Sequence, residues 1–368
     1  MAPHTVAHAM KSSLRAMAAT AAARFSTSTT ATTAAVTATS PAIASAVSGK
    51  PRHFQSIGDL TSVELSYLVD KAAQYRQLIK TNSLSTEPDR LPLLGHTVAM
   101  LFSKRSTRTR VSSEVAINYL GGHPMFLGKE DIQLGVNETA YDTSRVISSM
   151  TSAIVARVGA HKDIEDLAAA SSVPVINALS DMYHPLQAIA DLLTIKQAFP
   201  TLRGVKVAWV GDANNVLNDL AMACVKLGVD VAVATPATHP VDAEVFEEIV
   251  RAATATSASV SIGNDPLLAV KEADVIVTDT WISMGQESEK QQRLRDFAGF
   301  QVSSAMAAAG GAKTEWKFMH CLPRKPEEVT DEVFYSARSL VFDEAENRLY
   351  AMLAALEGFV LKRGVLVE

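Results

Sequence analysis

Cysteine is scarce: Cys224 and Cys321 are the only two in 368 residues. That count cannot build a disulfide framework, and such sparing use points to a reducing compartment. Basic charge is not in excess either. The 34 Lys and Arg against 39 Asp and Glu leave a net charge of −5. The whole-chain footprint of a nucleic-acid binder is therefore missing, although a local basic site stays open. No apolar run approaches the ~20 uncharged residues of a membrane helix, so no membrane partner is expected. Apolar residues as such are plentiful. At 48% hydrophobic and 20% charged, the chain can bury a sizeable core, and wholesale disorder is excluded. At roughly 100–200 residues per domain, the length suits two domains or one long α/β domain.

Acidic residues are missing from the start of the chain, where the first is Asp59. Ala, Ser and Thr fill 32 of the first 49 positions, and the only charges there are Lys11, Arg15 and Arg24. Basic, Ser-rich and acid-free is the composition of an organelle import peptide, here a mitochondrial one over residues 1–49. Residues 8–25 could form a helix with Met10, Leu14 and Met17 on one side. A secretory signal fits less well, because no strong apolar stretch follows the basic residues. Removing the segment leaves 31 basic and 39 acidic residues, a net charge of −8.

From residue 53 the pattern alternates. A helical stretch over 53–81 is followed by a buried strand at His96–Phe102, a polar interruption at Ser103–Arg110 and a helix at Val111–Leu120. Helix 139–151, strand Ala153–Val158, helix Ile164–Ala170 and strand Val173–Ala178 come next. His184-Pro185 opens a long helix to about Phe199, with Pro185 suited to a first turn; it reads as the bridge between domains. The second half restarts with strands at Val205–Val210, Val229–Ala234, Ser259–Gly263, Val275–Thr278 and Trp316–Cys321. Helices at 216–227, 241–254 and 266–271 intervene, and a last one covers about 344–364. Such alternation predicts an α/β fold of doubly wound parallel sheets in two domains. The expected division is 50–183, completed by the C-terminal helix 344–368, then the interdomain helix 184–200, then 201–343.

Ligands of such sheets sit beyond the carboxyl ends of strands. Five polar clusters deserve weighing there. Ser103–Arg110, with Ser106, Thr107, Arg108 and Thr109, puts hydroxyls and guanidinium groups at a strand-to-helix turn. That is an anion site, unless it is a solvated basic turn. His184 and Gln187 share a helix face and could both bind one planar carbonyl or amide, although His184 could equally cap the helix. The turn Gly211–Asn215 occupies the phosphate position of a dinucleotide fold but lacks the three spaced glycines, which speaks against a NAD-dependent dehydrogenase. Asp279 in Asp-Thr-Trp-Ile-Ser-Met-Gly could hold an ammonium group, with Ser283 nearby for a carboxylate or amine. His320-Cys321-Leu322-Pro323-Arg324 invites three readings: a zinc ligand, a Cys nucleophile, or a thiolate beside a cation. No second ligand pair and no oxyanion motif accompany it, and a buried inert Cys remains open.

Ser-Thr-Arg-Thr-Arg, His-Pro-Leu-Gln, Asp-Thr-Trp-Ile-Ser-Met-Gly and His-Cys-Leu-Pro-Arg, in this order, resemble the aspartate/ornithine carbamoyltransferase family. The last two resemble its ornithine-using branch. The likeness runs from about His53 to the C-terminal helix. It implies transfer of a carbamoyl group from carbamoyl phosphate to the δ-amine of L-ornithine, giving citrulline and phosphate, with no metal and no organic cofactor. It implies that Ser106, Thr107, Arg108 and Thr109 bind the phosphate. Arg157, His184, Gln187 and Arg348 would bind the rest of carbamoyl phosphate, and Gln133 would reach it across the subunit boundary of a homotrimer. Asn215, Asp279, Ser283 and Met284 would bind ornithine. Cys321 and the Leu322 backbone would sit at the reacting centre, and Arg324 has no family role. Alternatives are a carbamoyltransferase acting on putrescine or an acylated ornithine, and a catalytically dead regulatory subunit.

Overall fold

The computed structural model describes residues 49–84, 91–132, 137–282 and 287–367. The import segment and the site candidates Gln133, Ser283 and Met284 lie outside these residues. Lys50–Glu368 form a compact unit of their own.

The first sheet takes four parallel strands in the order β2-β1-β3-β4, namely β1 (Thr97–Phe102), β2 (His123–Gly128), β3 (Ala153–Arg157) and β4 (Val175–Leu179). The middle strands β1 and β3 are apolar and almost wholly buried, as strands covered on both faces must be. Helices α1 (Ser62–Lys80), α2 (Thr107–Tyr119), α3 (Ala140–Met150) and α4 (His161–Ala170) cover this sheet. Thr61 starts α1 with a capping box: its hydroxyl accepts from the Glu64 amide, and the Glu64 carboxylate accepts from the Thr61 amide. The second sheet has five parallel strands in the order β7-β6-β5-β8-β9. They are β5 (Lys206–Val210), β6 (Asp230–Ala234), β7 (Val260–Gly263), β8 (Val275–Val277) and β9 (Lys317–Met319). Its helices are α6 (Asn215–Lys226), α7 (Ala243–Thr256), α8 (Pro266–Val270), α9 (Lys290–Asp296), α10 (Ser304–Gly310) and α11 (Asp331–Phe334). The doubly wound α/β reading is what the chain adopts.

Local differences have physical causes. Helix α2 begins at Thr107, four residues before the apolar pattern starts, because the Ser106 hydroxyl accepts from the Thr109 amide and caps it. Strand β2 escaped the sequence reading: it is an edge strand, holds Pro124 and is half-exposed throughout. Helices α9, α10 and α11 are too short to show a period.

Two helices run through the centre. Helix α5 (Pro185–Ala198) is buried along nearly its whole length, and helix α12 (Val341–Ala355) packs on it before passing into a π-helical turn at Leu356–Leu361. Leu186, Ile189, Leu192 and Leu193 join Tyr350, Leu353 and Trp209 in one core that reaches both sheets. A helix apolar on all sides belongs in such a core. Its polar exceptions, Gln187, Asp191 and Thr194, therefore need partners.

The start of α5 is fixed by a residue of the second half. Asp219 on α6 accepts from the His184 amide at 2.7 Å and from the Ile57 amide at 2.8 Å, all buried. Asp219→Ala leaves two buried N–H groups unpaired, at about 1–3 kcal/mol each. Calorimetry should show Tm falling by at least about 4 °C, at roughly 2–4 °C per kcal/mol. An unchanged Tm refutes the staple.

Candidate active site

Strand ends and helix starts converge on one polar cluster. β1 leads to Ser106 and α2; β3 ends at Arg157; β4 leads to His184 and α5; α12 supplies Arg348. The Thr109 hydroxyl is the shared point. It accepts from Arg348 NH2 at 3.2 Å and from Arg157 NH1 at 3.4 Å, so its own O–H is free to donate to a ligand. Arg348 NH1 also donates to Gln187 Oε1 at 2.6 Å and to His184 Nε2 at 3.2 Å. Arg108 NH2 donates to the Leu322 carbonyl at 2.5 Å, joining this cluster to the second half of the chain. Thr109, Arg157, His184, Gln187 and Arg348 are all buried.

Three guanidinium groups thus share one region, and among the described residues none of the three is in a salt bridge. Burial first, and then the neighbouring arginines, push Arg157 and Arg348 down to about 10. They stay cationic at neutral pH. Burial and the same three arginines hold His184 well below the ordinary histidine value. A neutral ring that accepts at Nε2 carries its hydrogen on Nδ1. That atom, Arg157 Nε and Arg348 Nε are buried without a partner. Desolvated cations with unfilled donors describe a site made for an anion with several acceptor oxygens.

The second cluster lies beyond β8 and β9. The Cys321 thiol donates to Asp279 Oδ1 at 3.0 Å, and Asn214 donates to Asp279 Oδ2 at 2.8 Å. Burial and the Asp279 charge push the Cys321 thiol up, so it is a protonated donor and not a thiolate. Burial also raises Asp279. His320 Nδ1 accepts from the Leu322 amide at 2.9 Å, which leaves Nε2–H to donate to Glu328 at 3.1 Å. Asp279, His320 and Cys321 each offer a metal-ligand atom within 4.8 Å of one another. Internal hydrogen bonds already use the thiol, Asp279 Oδ1 and His320 Nδ1, so we assign no metal to them. A Cβ at Gly211 would lie 2.9 Å from Thr278 Oγ1. Only glycine lets the turn after β5 sit this close to the end of β8.

Most of the residues singled out from the sequence come together in these two clusters. Asn215 takes another direction: its amide donates to the Ser180 carbonyl at 2.6 Å, and its neighbour Asn214 is the one that meets Asp279. Thr107 is the exposed first residue of α2. Arg324 pairs with Asp331 and stacks over Phe334 at 4.7 Å, which gives it a structural place. Sequence reasoning missed Asn214, His320 as a support, Glu328, Asp191 and Glu344. Spacing held a hint for the last two, since Asp191 follows Gln187, and Glu344 precedes Arg348, by one helical turn. A groove of about 820 Å³ lined by Asp59, His161, Tyr183, Lys226 and Glu248 shares no residue with either cluster. The chemistry follows the buried arginines and not this groove.

Histidine labelled with ¹⁵N should report a neutral His184 ring from about pH 8 down to about pH 5.5, whereas a midpoint near 6.5 contradicts the buried arginine field.

Comparison with known proteins agrees in both halves. Residues 52–197 match the family description "Aspartate/ornithine carbamoyltransferase, carbamoyl-P binding domain", and residues 203–358 match "Aspartate/ornithine carbamoyltransferase, Asp/Orn binding domain". The protein "Ornithine carbamoyltransferase, mitochondrial" of Emericella nidulans is 59% identical over 327 residues, covering 85% of this chain and 90% of its own length. The "Ornithine carbamoyltransferase" of Saccharomyces cerevisiae is 47% identical over 323 residues, covering 85% and 95%. A crystal structure of a mitochondrial ornithine carbamoyltransferase from Coccidioides immitis superposes with a TM-score of 0.81 at 57% identity, over 87% of this chain and 100% of the other. The Pyrococcus furiosus ornithine carbamoyltransferase gives 0.80 at 46% identity, over 85% and 98%.

Proposed function

We infer the reaction from a plain premise: this chain belongs to the aspartate/ornithine carbamoyltransferase family. It transfers the carbamoyl group of carbamoyl phosphate to the δ-amine of L-ornithine, giving L-citrulline and phosphate. The observation that carries this reading is the buried pair Arg157 and Arg348 on Thr109 with half-buried Arg108 beside them, free of carboxylate partners among the described residues and tied through Leu322 to the Asp279–Cys321 pair.

In this reading Ser106, Thr107, Arg108 and Thr109 hold the phosphate, whose oxygens match hydroxyls and guanidinium forks. Arg157, His184, Gln187 and Arg348 hold the carbamoyl end, and Gln133 reaches it from a neighbouring subunit of a homotrimer. Asn215, Asp279, Ser283 and Met284 hold ornithine. The δ-amine starts as an ammonium, with an unperturbed pKa near that of Lys, ~10.4. The arginine field favours loss of its proton, and Asp279 with Cys321 orients the amine and takes part in that loss. The nitrogen lone pair forms the new N–C bond while the carbonyl π pair moves onto oxygen. Arg157 and His184 stabilise that oxyanion. Its collapse breaks the C–O bond to phosphate, which leaves with the electron pair into the Arg108 and hydroxyl site and takes up the proton that the attacking nitrogen must lose. Exclusion of water protects carbamoyl phosphate from hydrolysis meanwhile.

The domain division follows the same reading: 50–183 with 344–368 for carbamoyl phosphate, 184–200 between, and 201–343 for ornithine. The acid-free leader over residues 1–49, together with the mitochondrial relatives, supports import into the mitochondrial matrix.

The test is citrulline formation by the chain from Lys50 onward with carbamoyl phosphate and ornithine, with putrescine, acetylornithine and aspartate as parallel acceptors. Citrulline alone is expected. Product from another amine only would overturn the ornithine assignment. Arg108→Ala should lower kcat/KM by about 10²–10³ or more, the scale for losing one transition-state donor, with Tm little changed. Normal kinetics in that variant would remove Arg108 from the anion site.

A further inference from the structure

Behind the site lie two buried carboxyls that the reaction above does not use. Asp191 on α5 and Glu344 on α12 are each 1% exposed, and among the described residues neither forms a salt bridge. Gln187 Nε2 donates to Asp191 Oδ1 at 2.8 Å and to Glu344 Oε1 at 3.1 Å, so the two carboxyls stand side by side. Two buried like charges this close do not both ionise, so the pair holds one proton. Both hydrogens of the Gln187 amide are thereby used. Its oxygen faces the other way and accepts from Arg348 at 2.6 Å. The second oxygen of Glu344 accepts from the His320 amide at 2.9 Å, one residue before Cys321.

The other charged and titratable groups around the pair are Arg348 from α12, Asp279 from the end of β8, Cys321 from the end of β9 and Cys224 from α6. Burial and mutual repulsion raise both carboxyls, which keeps the shared proton in place. A flipped Gln187 would set its oxygen against two carboxyl oxygens and its NH2 against the Arg348 guanidinium. Every contact would then repel.

We propose that Asp191 and Glu344 share one proton and act as a positioning pair. They lock the Gln187 amide with its oxygen beside Arg348, so that the site selects a ligand bearing an N–H donor at the carbamoyl position. This rests on the carbamoyl phosphate reading, since a carbamoyl group carries NH2 where an acetyl group of the same shape carries CH3. An amide oxygen with a second lone pair accepts from the first and gains nothing from the other. The lock is inherited by the ligand: the carboxyls never touch it, yet they decide which end of Gln187 it meets.

Calorimetry on the full chain without any amine tests this with two stable phosphonates. Phosphonoacetamide keeps the NH2, and acetonylphosphonate replaces it with CH3. The wild type should favour the amide by about tenfold or more, as a site built to accept a hydrogen bond does. In Asp191→Asn the new amide oxygen accepts from Gln187 and its NH2 replaces the shared proton toward Glu344. The preference should stay within about threefold of wild type. In Asp191→Leu, and in Asp191→Ala should the first not fold, the preference should collapse toward one. In a Gln187→Ala background, neither change should alter it further. An Asp191→Asn variant as indifferent as Asp191→Leu overturns the shared proton. A preference that survives Asp191→Leu overturns the lock, as does a wild type that binds both analogues equally. Failure of the wild type to bind either analogue rejects the carbamoyl phosphate reading itself, and this inference with it.

Discussion

Three clustered guanidinium groups, two of them buried, with no carboxylate partner among the described residues, are the constraint around which the rest of this structure is arranged. Burying even one unpaired charge is costly. Arg157 and Arg348 are buried, and Arg108 stands beside them with only a backbone carbonyl as its partner. The fold meets part of this cost with neutral acceptors: the Thr109 hydroxyl, the Gln187 amide oxygen, the His184 ring and the Leu322 carbonyl. None of these cancels a charge. The site is therefore held short of its best electrostatic state until an anion fills it. A carboxylate at any of these positions would stabilise the empty protein and compete with the phosphate.

Negative charge is present, but one layer back. Asp191 and Glu344 lie behind Gln187, and Asp279 lies beyond Cys321. At that distance the carboxyls moderate the arginine field without occupying the fork positions. The arrangement also explains why α5 and α12, two largely buried helices, carry these polar residues in the core. Gln187 and Asp191 on one face of α5 meet Glu344 and Arg348 on one face of α12. One i,i+4 pair from each helix closes a single buried network. Removing any member leaves the others unsatisfied, so the helices are fixed in register by the same bonds that aim the site.

What the sequence disclosed follows the range of the interactions. Strands β1, β3, β5, β6 and β8 were legible because continuous apolar runs between turn residues mark strands buried on both faces. Arg108, Thr109, His184 and Gln187 were legible because they stand at a strand end or helix start within compact motifs, whereas Arg157 and Arg348 came only through the family resemblance. Edge strand β2 was not, since half-exposure and a proline blur its pattern. Asn214 was hidden by its neighbour: both are polar at a helix start, and only the geometry of the cap, in which Asn214 Oδ1 accepts from the Val216 and Leu217 amides, turns its NH2 toward Asp279. The Asp191–Glu344 pair joins positions more than 150 residues apart, and no local pattern encodes that meeting.

The reacting centre shows how such hidden contacts carry visible ones. Leu322 follows Cys321 with φ at +64°, a left-handed conformation that costs a non-glycine residue about 1–3 kcal/mol. Its two backbone groups are held separately. The carbonyl accepts from Arg108, and the amide donates to His320 Nδ1. His320 can accept there only because Glu328 takes the hydrogen on its other nitrogen. Glu328 in turn accepts from the Trp281 amide, two residues past Asp279, and from the Lys325 amide. One buried carboxylate thus fixes the histidine tautomer, the turn that presents Cys321, and the segment that leads from Asp279 toward the ornithine-binding motif. The Cys-Leu dipeptide joins the two polar clusters, yet its conformation is decided seven and six residues downstream, at a buried glutamate.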